Sequence, residues 1–358
     1  MKIVLTGGGT GGHIYPAISV GQALRDLDPA VELLFVGSSH GPEGSIAGQS
    51  GIPFMAVPSA PLTRSISLKN MASFGKLLAG VIRARRILKD FGPDVVIGTG
   101  GYTTAAVLLA AKSIGCKFII HEQNAVPGRT NVWLSRLASK VCVTFDGSAA
   151  YLPKDKVVMT GMPIRSEFAS LKDKQTARRE LGLKENLYTI LVVGGSQGAK
   201  KLNELVMDMW PAIDNGNTQI IHQVGRRNYD QCASAGSDLY KIEAYLDMPT
   251  ALAASDLVIS RSGASTIAEI TAAALPSILV PYPYAFADHQ KRNAQCIASS
   301  GAAIMCEEGS ITKDGLASIV SDLRSSPDKL KKMADASASL AKIDAAKSVA
   351  QTAIEIAD

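Results

Sequence analysis

The sequence contains few aromatic and few charged residues, and this shortage limits the classes of protein to which it can belong. Aromatic residues make up 5% and charged residues 19% of the 358 residues, whereas hydrophobic residues make up 46%. A disordered chain would show the reverse balance, because it could not bury enough apolar surface to fold. The length suits two domains of ordinary size. The composition therefore predicts two packed cores.

Cysteines are few, odd in number and scattered. No two of them form a CxxC pair, which a disulfide framework or a zinc cluster would favour. They are Cys116, Cys142, Cys232, Cys296 and Cys306. We therefore expect a reducing compartment and no structural zinc. No acidic metal-binding motif is evident in the sequence, so we place no metal or other cofactor in the active site.

Long hydrophobic runs are also missing. The apolar run near Met1 is too short for a signal peptide, and the stretch 105–111 is too short to span a bilayer. We therefore expect a protein that is soluble or lies on a membrane without crossing it. The net charge of +5, from 37 basic and 32 acidic residues, gives no reason to expect a nucleic acid partner.

Short β-branched runs alternate with Ala- and Leu-rich stretches of helical length. Continuous apolar strands that alternate with helices indicate a parallel sheet covered on both faces. The runs in the first half of the chain are Ile3–Leu5, Leu33–Val36, Val95–Ile97, Phe118–Ile120 and Lys140–Val143.

The pattern starts again near the middle of the chain. A strand over Tyr188–Val193 leads into Gly194–Gly198, as the first strand leads into Gly7–Gly12. The later strands are Gln219–Ile221, Leu257–Ile259 and Ser277–Val280. These runs predict an α/β protein of two doubly wound domains, residues 1–162 and 163–340, and a helix over 341–358 that could pack back on the first domain. The linker should lie near 161–165, and the expected binding site is a cleft between the domains.

The glycine loop Gly7–Gly12 lies between the first strand and a helix expected from about Tyr15 onward. Such a loop lets an anion approach backbone N–H groups at a helix N-terminus. The loop matches GxGxxG, but a dinucleotide enzyme also needs an acidic residue after the second strand. That strand ends at Gly37 and Ser38, without an acid. A dinucleotide-dependent oxidoreductase is therefore disfavoured.

His13 follows this glycine loop directly. A histidine there could simply cap or pack against the helix. A neutral imidazole near a helix N-terminus is also a plausible general base, because the helix dipole disfavours its protonation. Both interpretations remain open from the residues alone.

Two more polar segments end strands of the first domain. Gly98–Thr104 could bind an anion, or could be a tight strand-to-helix turn that needs small residues. His121–Asn124 places four hydrogen-bonding side chains at a strand end, which suggests a ligand or else a structural network.

The second domain has comparable segments. Gly194–Gly198 precedes a helix, and so does Ser260–Thr266, whose helix is expected to hold Glu269 in its first turn. A carboxylate there could accept both hydroxyls of a ribose, or could only complement the helix dipole. Gln290 and Asn293 lie one turn apart on a later helix.

Five of these segments, taken in this order, resemble the MurG family of bacterial peptidoglycan glycosyltransferases. They are Gly8–His13, Gly100–Tyr102, His121–Asn124, Gly194–Ala199 and Arg261–Glu269. The resemblance covers nearly the whole chain. It implies a GT-B fold and inverting transfer of N-acetylglucosamine from UDP-N-acetylglucosamine to the muramoyl 4-hydroxyl of lipid I, which gives lipid II. It also implies a peripheral location on the cytoplasmic face of the cell membrane, roles in cell shape and division, and association with other cell-wall enzymes.

The resemblance also implies site residues. His13 would be the general base, with Glu122 as the second candidate, and Gly100, Gly101 and Tyr102 would receive the acceptor diphosphate together with 11–13. Contacts to UDP-N-acetylglucosamine would come from Thr10, Gly11, Gly12, Asn124, Arg165, Ser196, Tyr245, Ala264, Ser265, Thr266, Ile267, Ala268, Glu269, Gln290 and Asn293. The chain departs from the family pattern at three places: Thr99 stands where a hydrophobic residue is common, Met162 replaces the usual Asn before Arg165, and Thr103 and Thr104 continue the second loop differently.

The stretch 62–93 is strongly basic, with Asp90 as its only acid. Its cations are Arg64, Lys69, Lys76, Arg83, Arg85, Arg86 and Lys89, and its apolar residues at helical spacing are Met71, Phe74, Leu78, Val81 and Leu88. Such a segment suits a surface of anionic lipids. The alternative is a solvated basic helix that packs its apolar side on the sheet.

Two further functions fit the same architecture. A UDP-sugar epimerase would need neither a lipid acceptor nor the basic stretch. A nucleotide-sugar sensor without activity would bind UDP tightly and leave the donor unchanged.

Overall fold

The structure, a computed structural model, describes residues 1–60, 68–195 and 197–357. The chain divides into two compact units, residues 1–165 with 344–358, and residues 166–343. From sequence we expected the division after residue 162 and the last helix from 341.

The first unit holds a parallel sheet with the order β3-β2-β1-β4-β5-β6-β7 in the described residues. Its strands are β1 (Lys2–Thr6), β2 (Glu32–Ser38), β3 (Phe54–Val57), β4 (Val95–Gly98), β5 (Lys117–Glu122), β6 (Lys140–Val143) and β7 (Val157–Met159). The helices between them are α1 (Gly11–Leu27), α2 (Glu43–Gln49), α3 (Leu68–Phe91), α4 (Tyr102–Ser113) and α5 (Arg129–Ser135).

The second unit repeats this architecture with a parallel sheet of order β10-β9-β8-β11-β12-β13. Its strands are β8 (Tyr188–Val193), β9 (Thr218–Gln223), β10 (Tyr240–Glu243), β11 (Leu257–Ser260), β12 (Ser277–Leu279) and β13 (Ala303–Met305). Its helices are α6 (Lys174–Glu180), α7 (Lys200–Ile213), α8 (Tyr229–Cys232), α9 (Met248–Ala253), α10 (Ala264–Ala272), α11 (His289–Ser299), α12 (Lys313–Arg324) and α13 (Pro327–Leu340). The last helix, α14 (Ala345–Ala357), belongs to the first unit and packs on α1.

The core of the first unit lies on both faces of its sheet. Successive side chains of a strand point to opposite faces, so Ile3 and Leu5 pack with α1 and α14, whereas Val4 packs with α3 and α4. Both faces of the strands are therefore apolar, and this explains the continuous hydrophobic runs in the sequence.

Each sheet reverses its strand order at one point, between β1 and β4 in the first unit and between β8 and β11 in the second. Ligands of doubly wound proteins bind outside the carboxyl ends of the strands at such a point. The loops after these four strands therefore hold the candidate sites.

Among the described helices, none combines the length and the apolar character that crossing a membrane requires.

Candidate active site

The two glycine loops of the first unit are in direct contact. The amide of Gly8 donates to the carbonyl of Gly100 at 3.1 Å. A side chain at Gly101, whose φ is 90°, would bring its Cβ to 2.2 Å from the carbonyl oxygen of Gly8. Glycine at 101 therefore allows the loops to touch, and the N-termini of α1 and α4 come together at the switch point. Two converging helix N-termini favour a ligand of high negative charge, such as a diphosphate.

Helix α1 begins at Gly11, and the expected start near Tyr15 is wrong. Thr10 is the exposed N-cap residue, with extended backbone and no capping hydrogen bond from its side chain. Gly11, Gly12 and His13 thus form the first turn. The amides of Gly11 and Gly12 have no partner within the helix, whereas the amide of His13 donates to the carbonyl of Thr10 at 3.0 Å. The three residues expected on the donor sugar side and the candidate base therefore share one helix N-terminus.

His13 and Thr99 exchange two hydrogen bonds. The Nδ1 atom of His13 lies 3.0 Å from the carbonyl oxygen of Thr99, and the hydroxyl of Thr99 donates to the carbonyl oxygen of His13 at 2.6 Å. A carbonyl oxygen can only accept, so Nδ1 carries the proton and Nε2 is the basic nitrogen of the neutral ring. This tautomer is the one that a general base acting through Nε2 requires.

The carbonyl of Thr99 also accepts from Nε2 of Gln123 at 2.8 Å. The neighbouring His121 is fully buried and donates through Nε2 to the carbonyl of Gly161 at 2.9 Å. Burial lowers the pKa of His121 to about 4, so its ring is neutral at physiological pH. His121 and Gln123 therefore hold the loops after β4 and β7 in place.

Glu122 is almost fully buried and organises the loop that follows β5. Its Oε1 accepts from the amide of Asn124 at 3.0 Å, and its Oε2 accepts from the amide of Gly128 at 3.1 Å and from Nδ2 of Asn131 at 2.8 Å. Burial raises the pKa of this carboxyl, while these hydrogen bonds act in the opposite direction. Sequence reasoning missed Asn131, because no motif contains it.

Two more residues support the first glycine loop. The buried Glu43, on α2, accepts from the amide of Gly9 at 2.9 Å. It was also missed, because a single Glu in a short helix gives no signal. The guanidinium of Arg165 lies 6.0 Å from the ring centroid of Tyr15, and that ring lies against Gly11. Arg165 thus brings a positive charge beside the N-terminal turn of α1.

The tyrosine of the second loop lies close to the first loop. A Cβ at Gly9 would lie 3.2 Å from the Tyr102 ring. Tyr102 is the first residue of α4, and its side chain is 36% exposed, so it can contact a ligand held by the two loops.

The second unit has an open pocket of about 560 Å³ at its own switch point. Its lining combines glycine backbone with three cations and two tyrosines. The lining residues are Gly194, Gly195, Gly198, Ala199, Lys200, Lys201, Arg261, Gly263, Thr266, Tyr282, Tyr284, Gln290 and Glu308. Ser196, expected here, lies outside the described residues. Lys200 and Lys201 were not anticipated, and their charges suit a phosphate-bearing ligand.

Gln223, at the end of β9, connects the glycine loop of this pocket with the segment of Tyr245. Its Oε1 accepts from the amide of Leu246 at 2.8 Å, and its Nε2 donates to the carbonyl of Gly195 at 3.4 Å. Tyr245 is 51% exposed on the loop before α9. The buried Gln223 therefore fixes the distance between two loops expected to contact the same nucleotide.

The expected placement of Glu269 is wrong in one respect. Helix α10 begins at Ala264, so Glu269 is its sixth residue and lies in the second turn. The helix starts immediately after the extended N-cap Gly263, earlier than the polar run 260–266 suggested. Within the expected run, Ile267 is buried like Ala264, whereas Ser265, Thr266, Ala268 and Glu269 are partly exposed.

Gln290 and Asn293 both hold the loop before α10. The hydroxyl of Ser262 donates to the carbonyl of Gln290 at 2.8 Å, and Nδ2 of the fully buried Asn293 donates to the carbonyl of Ser262 at 3.3 Å. The side-chain oxygen of Gln290 accepts from the amide of Tyr282 at 3.0 Å. Asn293 is therefore a supporting residue, and Gln290 is both a supporting and a lining residue.

Arg261 stabilises one wall of the pocket through an ion pair and hydrogen bonds. Its guanidinium pairs with the buried carboxylate of Glu308 and donates to the carbonyls of Val280 and Pro281 at 3.0 and 3.2 Å. Lys201 lies 3.9 Å from the same carboxylate.

Across the part of the chain that the structure describes, no group of three or more His, Cys, Asp or Glu side chains could hold a metal ion.

Comparisons with known proteins agree with this arrangement. Residues 3–143 match the glycosyltransferase family 28 N-terminal domain, and residues 189–350 match the glycosyltransferase family 28 C-terminal domain. The UDP-N-acetylglucosamine–N-acetylmuramyl-(pentapeptide) pyrophosphoryl-undecaprenol N-acetylglucosamine transferase of Desulforudis audaxviator is 40% identical over 96% of this chain and 95% of that protein.

Solved structures give the same result. The MurG crystal structure from Acinetobacter baumannii has a TM-score of 0.78 and 28% identity, with 99% of each chain covered. A UDP-GlcNAc 2-epimerase from Neisseria meningitidis has a TM-score of 0.72 at 14% identity, over 99% of this chain and 100% of that one, which reflects a shared fold alone. The predicted α/β architecture of two Rossmann-like domains of the GT-B class is confirmed. The chain belongs to glycosyltransferase family 28 and, within that family, to the MurG group.

Proposed function

We propose that this chain transfers N-acetylglucosamine from UDP-N-acetylglucosamine to N-acetylmuramyl-pentapeptide pyrophosphoryl-undecaprenol, that is, lipid I, and so forms lipid II. The observation that carries this proposal is the 40% identity to a transferase of that name over almost the whole chain. The two glycine loops, which are in contact, provide a site for a diphosphate. The proton on Nδ1 of His13 makes Nε2 the basic nitrogen that can accept the proton of the acceptor hydroxyl.

The acceptor diphosphate binds to the two glycine loops of the first unit. Backbone N–H groups of Gly11 and Gly12 and the N-terminus of α4 at Tyr102 supply donors and positive dipole ends. Arg165, whose charge lies beside the N-terminal turn of α1, contacts the donor and stabilises the departing diphosphate. The amide of Gly9 does not take part, because it donates to Glu43.

His13 acts as the general base. The muramoyl 4-hydroxyl oxygen attacks the anomeric carbon of the donor sugar while Nε2 of His13 accepts its proton. The bond from that carbon to the diphosphate oxygen breaks, and UDP departs with the electron pair. A single direct displacement inverts the anomeric centre, so an α-linked donor gives a β-linked product. The Thr99 carbonyl stabilises the imidazolium that forms, because it accepts from Nδ1.

The donor binds to the pocket of the second unit. Glycine-loop amides and the two lysines suit its diphosphate. Glu269 is not a lining residue of the pocket, but it lies about one turn beyond the lining residue Thr266 on α10, and its carboxylate suits the ribose diol of the donor. Ser265, Thr266 and Gln290 supply hydrogen-bonding groups at the adjoining helix ends, and Tyr245 contributes at the uracil end.

Glu122 acts as a positioning residue and not as the base. Its carboxylate accepts from Asn124 and Gly128 in the loop before α5 and from Asn131 in the first turn of that helix. A carboxylate that fixes this many donors orients the loop, and Asn124 then contacts the donor sugar.

Helix α3 supplies a membrane-facing surface for the lipid acceptor. Phe74, Leu78 and Ile82 are 63%, 55% and 51% exposed at a spacing of four residues, whereas Leu88 is fully buried and Val81 is partly buried in the core. The apolar set expected from sequence therefore divides between surface and core. The side chains of Lys69 and Met71, and Arg64 as a whole, lie outside the described residues. An exposed apolar stripe beside cations binds anionic lipid surfaces, each cation contributing about 1 kcal/mol.

The same proposal covers the cellular setting. A lipid-linked acceptor requires a peripheral position on the membrane, and the supply of nucleotide sugar assigns it to the cytoplasmic face. Formation of lipid II links the chain to cell shape and division, and other cell-wall enzymes are then its natural partners.

One experiment tests the reaction. The protein is incubated with radiolabelled UDP-N-acetylglucosamine and a lipid I analogue, and the lipid phase is extracted. Acceptor-dependent label in the lipid, together with release of UDP, supports the proposal. Label that stays in water as epimerised sugar would replace it with the epimerase function, and unchanged donor would leave only nucleotide-sugar binding.

A further inference from the structure

A second basic pocket lies at the edge of the first sheet, and its lining includes no residue of either glycine loop. It has a volume of about 450 Å³ and lies beyond the carboxyl ends of β2 and β3. Its polar lining residues are Ser39, Ser59, His40, Lys76 and Arg83, and the last three are basic. None of the described lining residues is acidic.

The position of the two α3 cations follows from a glycine. Gly80 is buried, and a Cβ there would lie 2.3 Å from the carbonyl oxygen of Pro58. Helix α3 therefore packs directly on the segment after β3 at this residue. Lys76 precedes Gly80 by one turn and Arg83 follows it by one turn, so both lie on the same side of the helix. Along the helix axis, the Pro58–Ser59 segment therefore lies between these two cations.

These cations lie on a different flank of α3 from its apolar stripe. At about 100° of rotation per residue, Lys76 and Arg83 lie about 150° around the helix from the centre of the Phe74–Ile82 stripe. Arg85 and Lys89 instead fall within the stripe. A membrane that contacts the stripe is therefore adjacent to Arg85 and Lys89, and the pocket cations face another ligand.

The pocket is also linked to the acceptor loops. The hydroxyl of Thr103, the second residue of α4, donates to the hydroxyl of Ser59 at 3.3 Å. Tyr102, the preceding residue, belongs to the second glycine loop. In the described residues, no carboxylate forms an ion pair with Lys76 or Arg83. Two exposed, uncompensated cations beside the acceptor loops attract an anionic part of the acceptor.

We propose that this pocket binds a carboxylate of the acceptor's peptide; the inference rests on the proposed function. The muramoyl group carries both the diphosphate and the peptide. With its diphosphate on the glycine loops, the peptide extends along the carboxyl edge of the sheet. Lys76 and Arg83 bind the carboxylate as charge-assisted donors, and the serine hydroxyls add neutral hydrogen bonds. The pocket thus selects acceptors that bear an anionic peptide.

The test compares two double variants of equal charge change. The pocket variant is Lys76→Gln with Arg83→Gln, and the matched control is Arg85→Gln with Lys89→Gln on the stripe. Each is assayed with a short-chain, water-soluble lipid I analogue and with the same analogue whose peptide carboxyl groups are all converted to amides. Binding to vesicles that contain anionic phospholipid is measured in parallel.

The pocket variant should raise KM for the carboxylate acceptor about tenfold, equivalent to about 1.4 kcal/mol. Its KM for the amidated acceptor, its KM for UDP-N-acetylglucosamine and its vesicle binding should stay unchanged. The control variant should lose vesicle binding and keep both acceptor KM values.

Three results would overturn the inference. An unchanged KM, or an equal rise for both acceptors, would exclude recognition of the carboxylate. Loss of vesicle binding in the pocket variant, with both KM values intact, would identify a site for lipid headgroup phosphate. If the wild type transfers nothing, the proposed function fails separately. In that case, calorimetry with soluble muramyl-pentapeptide tests the pocket independently of transfer. Weaker binding by the pocket variant alone supports the carboxylate site, and equal binding by all variants excludes it.

Discussion

The ring of His13 and the backbone and hydroxyl of Thr99 form a reciprocal pair: Nδ1 donates to the Thr99 carbonyl at 3.0 Å, and the Thr99 hydroxyl donates to the His13 carbonyl at 2.6 Å. The side chain of Thr99 therefore adds a hydrogen bond directly behind the candidate base.

Replacing His13 by alanine should lower kcat by a factor of about 10² to 10⁴, the usual contribution of a general base. The KM for UDP-N-acetylglucosamine should change little, because the proposed donor contacts of the second unit remain. Steady-state kinetics with the lipid I analogue provides the measurement. Near-normal turnover would exclude His13 as the base.

Thr99→Val is the matched control for this variant. It removes the hydroxyl but keeps the carbonyl that orients the imidazole, so the tautomer of His13 persists. The loss of one neutral hydrogen bond of about 1 kcal/mol should reduce kcat no more than about fivefold. A loss as large as that of the alanine variant would mean that the hydroxyl, and not the carbonyl, holds the ring.

Glu122→Gln should lower activity without moving the acid limb of the pH–rate profile. The glutamine amide nitrogen would face one of the donors from Asn124, Gly128 or Asn131, because each carboxylate oxygen now accepts at least one N–H. A buried donor left without an acceptor costs about 1–3 kcal/mol. If Glu122 were the base, the acid limb would disappear in this variant, and the pH profile of kcat/KM distinguishes the two roles.

Gln223→Met should raise the KM for UDP-N-acetylglucosamine about tenfold and leave kcat almost unchanged. The substitution keeps the side-chain volume but removes the bonds to Leu246 and Gly195, so both loops lose a fixed position before the donor binds. Gln231→Met, at an exposed position of the same unit, is the control. If both variants have the same KM, the hydrogen bonds of Gln223 to Leu246 and Gly195 have no part in donor binding.

The strands that sequence reasoning found and those it missed differ by position in the sheets. Every interior strand was predicted, because burial on two faces gives a continuous apolar run. In the part of the chain that the structure describes, the missed strands are the edges of the two sheets: β3, β7, β10 and β13. Each is short and partly exposed, with sequences such as YKIE in β10 that alternate apolar and polar residues.

The candidate site shows a similar division. Glycine loops and strand-end side chains were found because turn geometry requires particular residues in an uninterrupted order. Glu43 and Gln223 were missed, because each acts through a hydrogen bond to a loop distant in sequence. Asn131 was missed because its partner is the side chain of Glu122 at the end of β5, outside any motif that contains Asn131. Their roles depend on the fold that brings those loops together and leave no pattern of spacing.

His222 should make the second unit less stable in acid. The ring is fully buried between the hydroxyl of Tyr240 at 2.8 Å and the side-chain oxygen of Asn203 at 3.1 Å, and burial lowers its pKa to about 3. The unfolded chain, with an ordinary pKa of about 6.5, binds a proton that the folded unit does not. The stability from the neutral ring is therefore complete above about pH 6.5 and is lost as the pH falls toward 3, at up to about 1.4 kcal/mol per pH unit.

Trp210 gives a direct readout of this effect, because its ring lies 5.4 Å from that of Tyr240. Urea unfolding of the second unit is followed by fluorescence in a Trp133→Phe background, which leaves Trp210 as the only tryptophan. Between pH 6.5 and 4.5, the free energy of unfolding should fall more steeply in this background than after an added His222→Gln substitution, whose amide does not titrate. The difference between the two slopes isolates the histidine from the other groups that titrate in this range. Equal slopes would show that His222 takes up its proton in the folded unit as readily as in the unfolded chain.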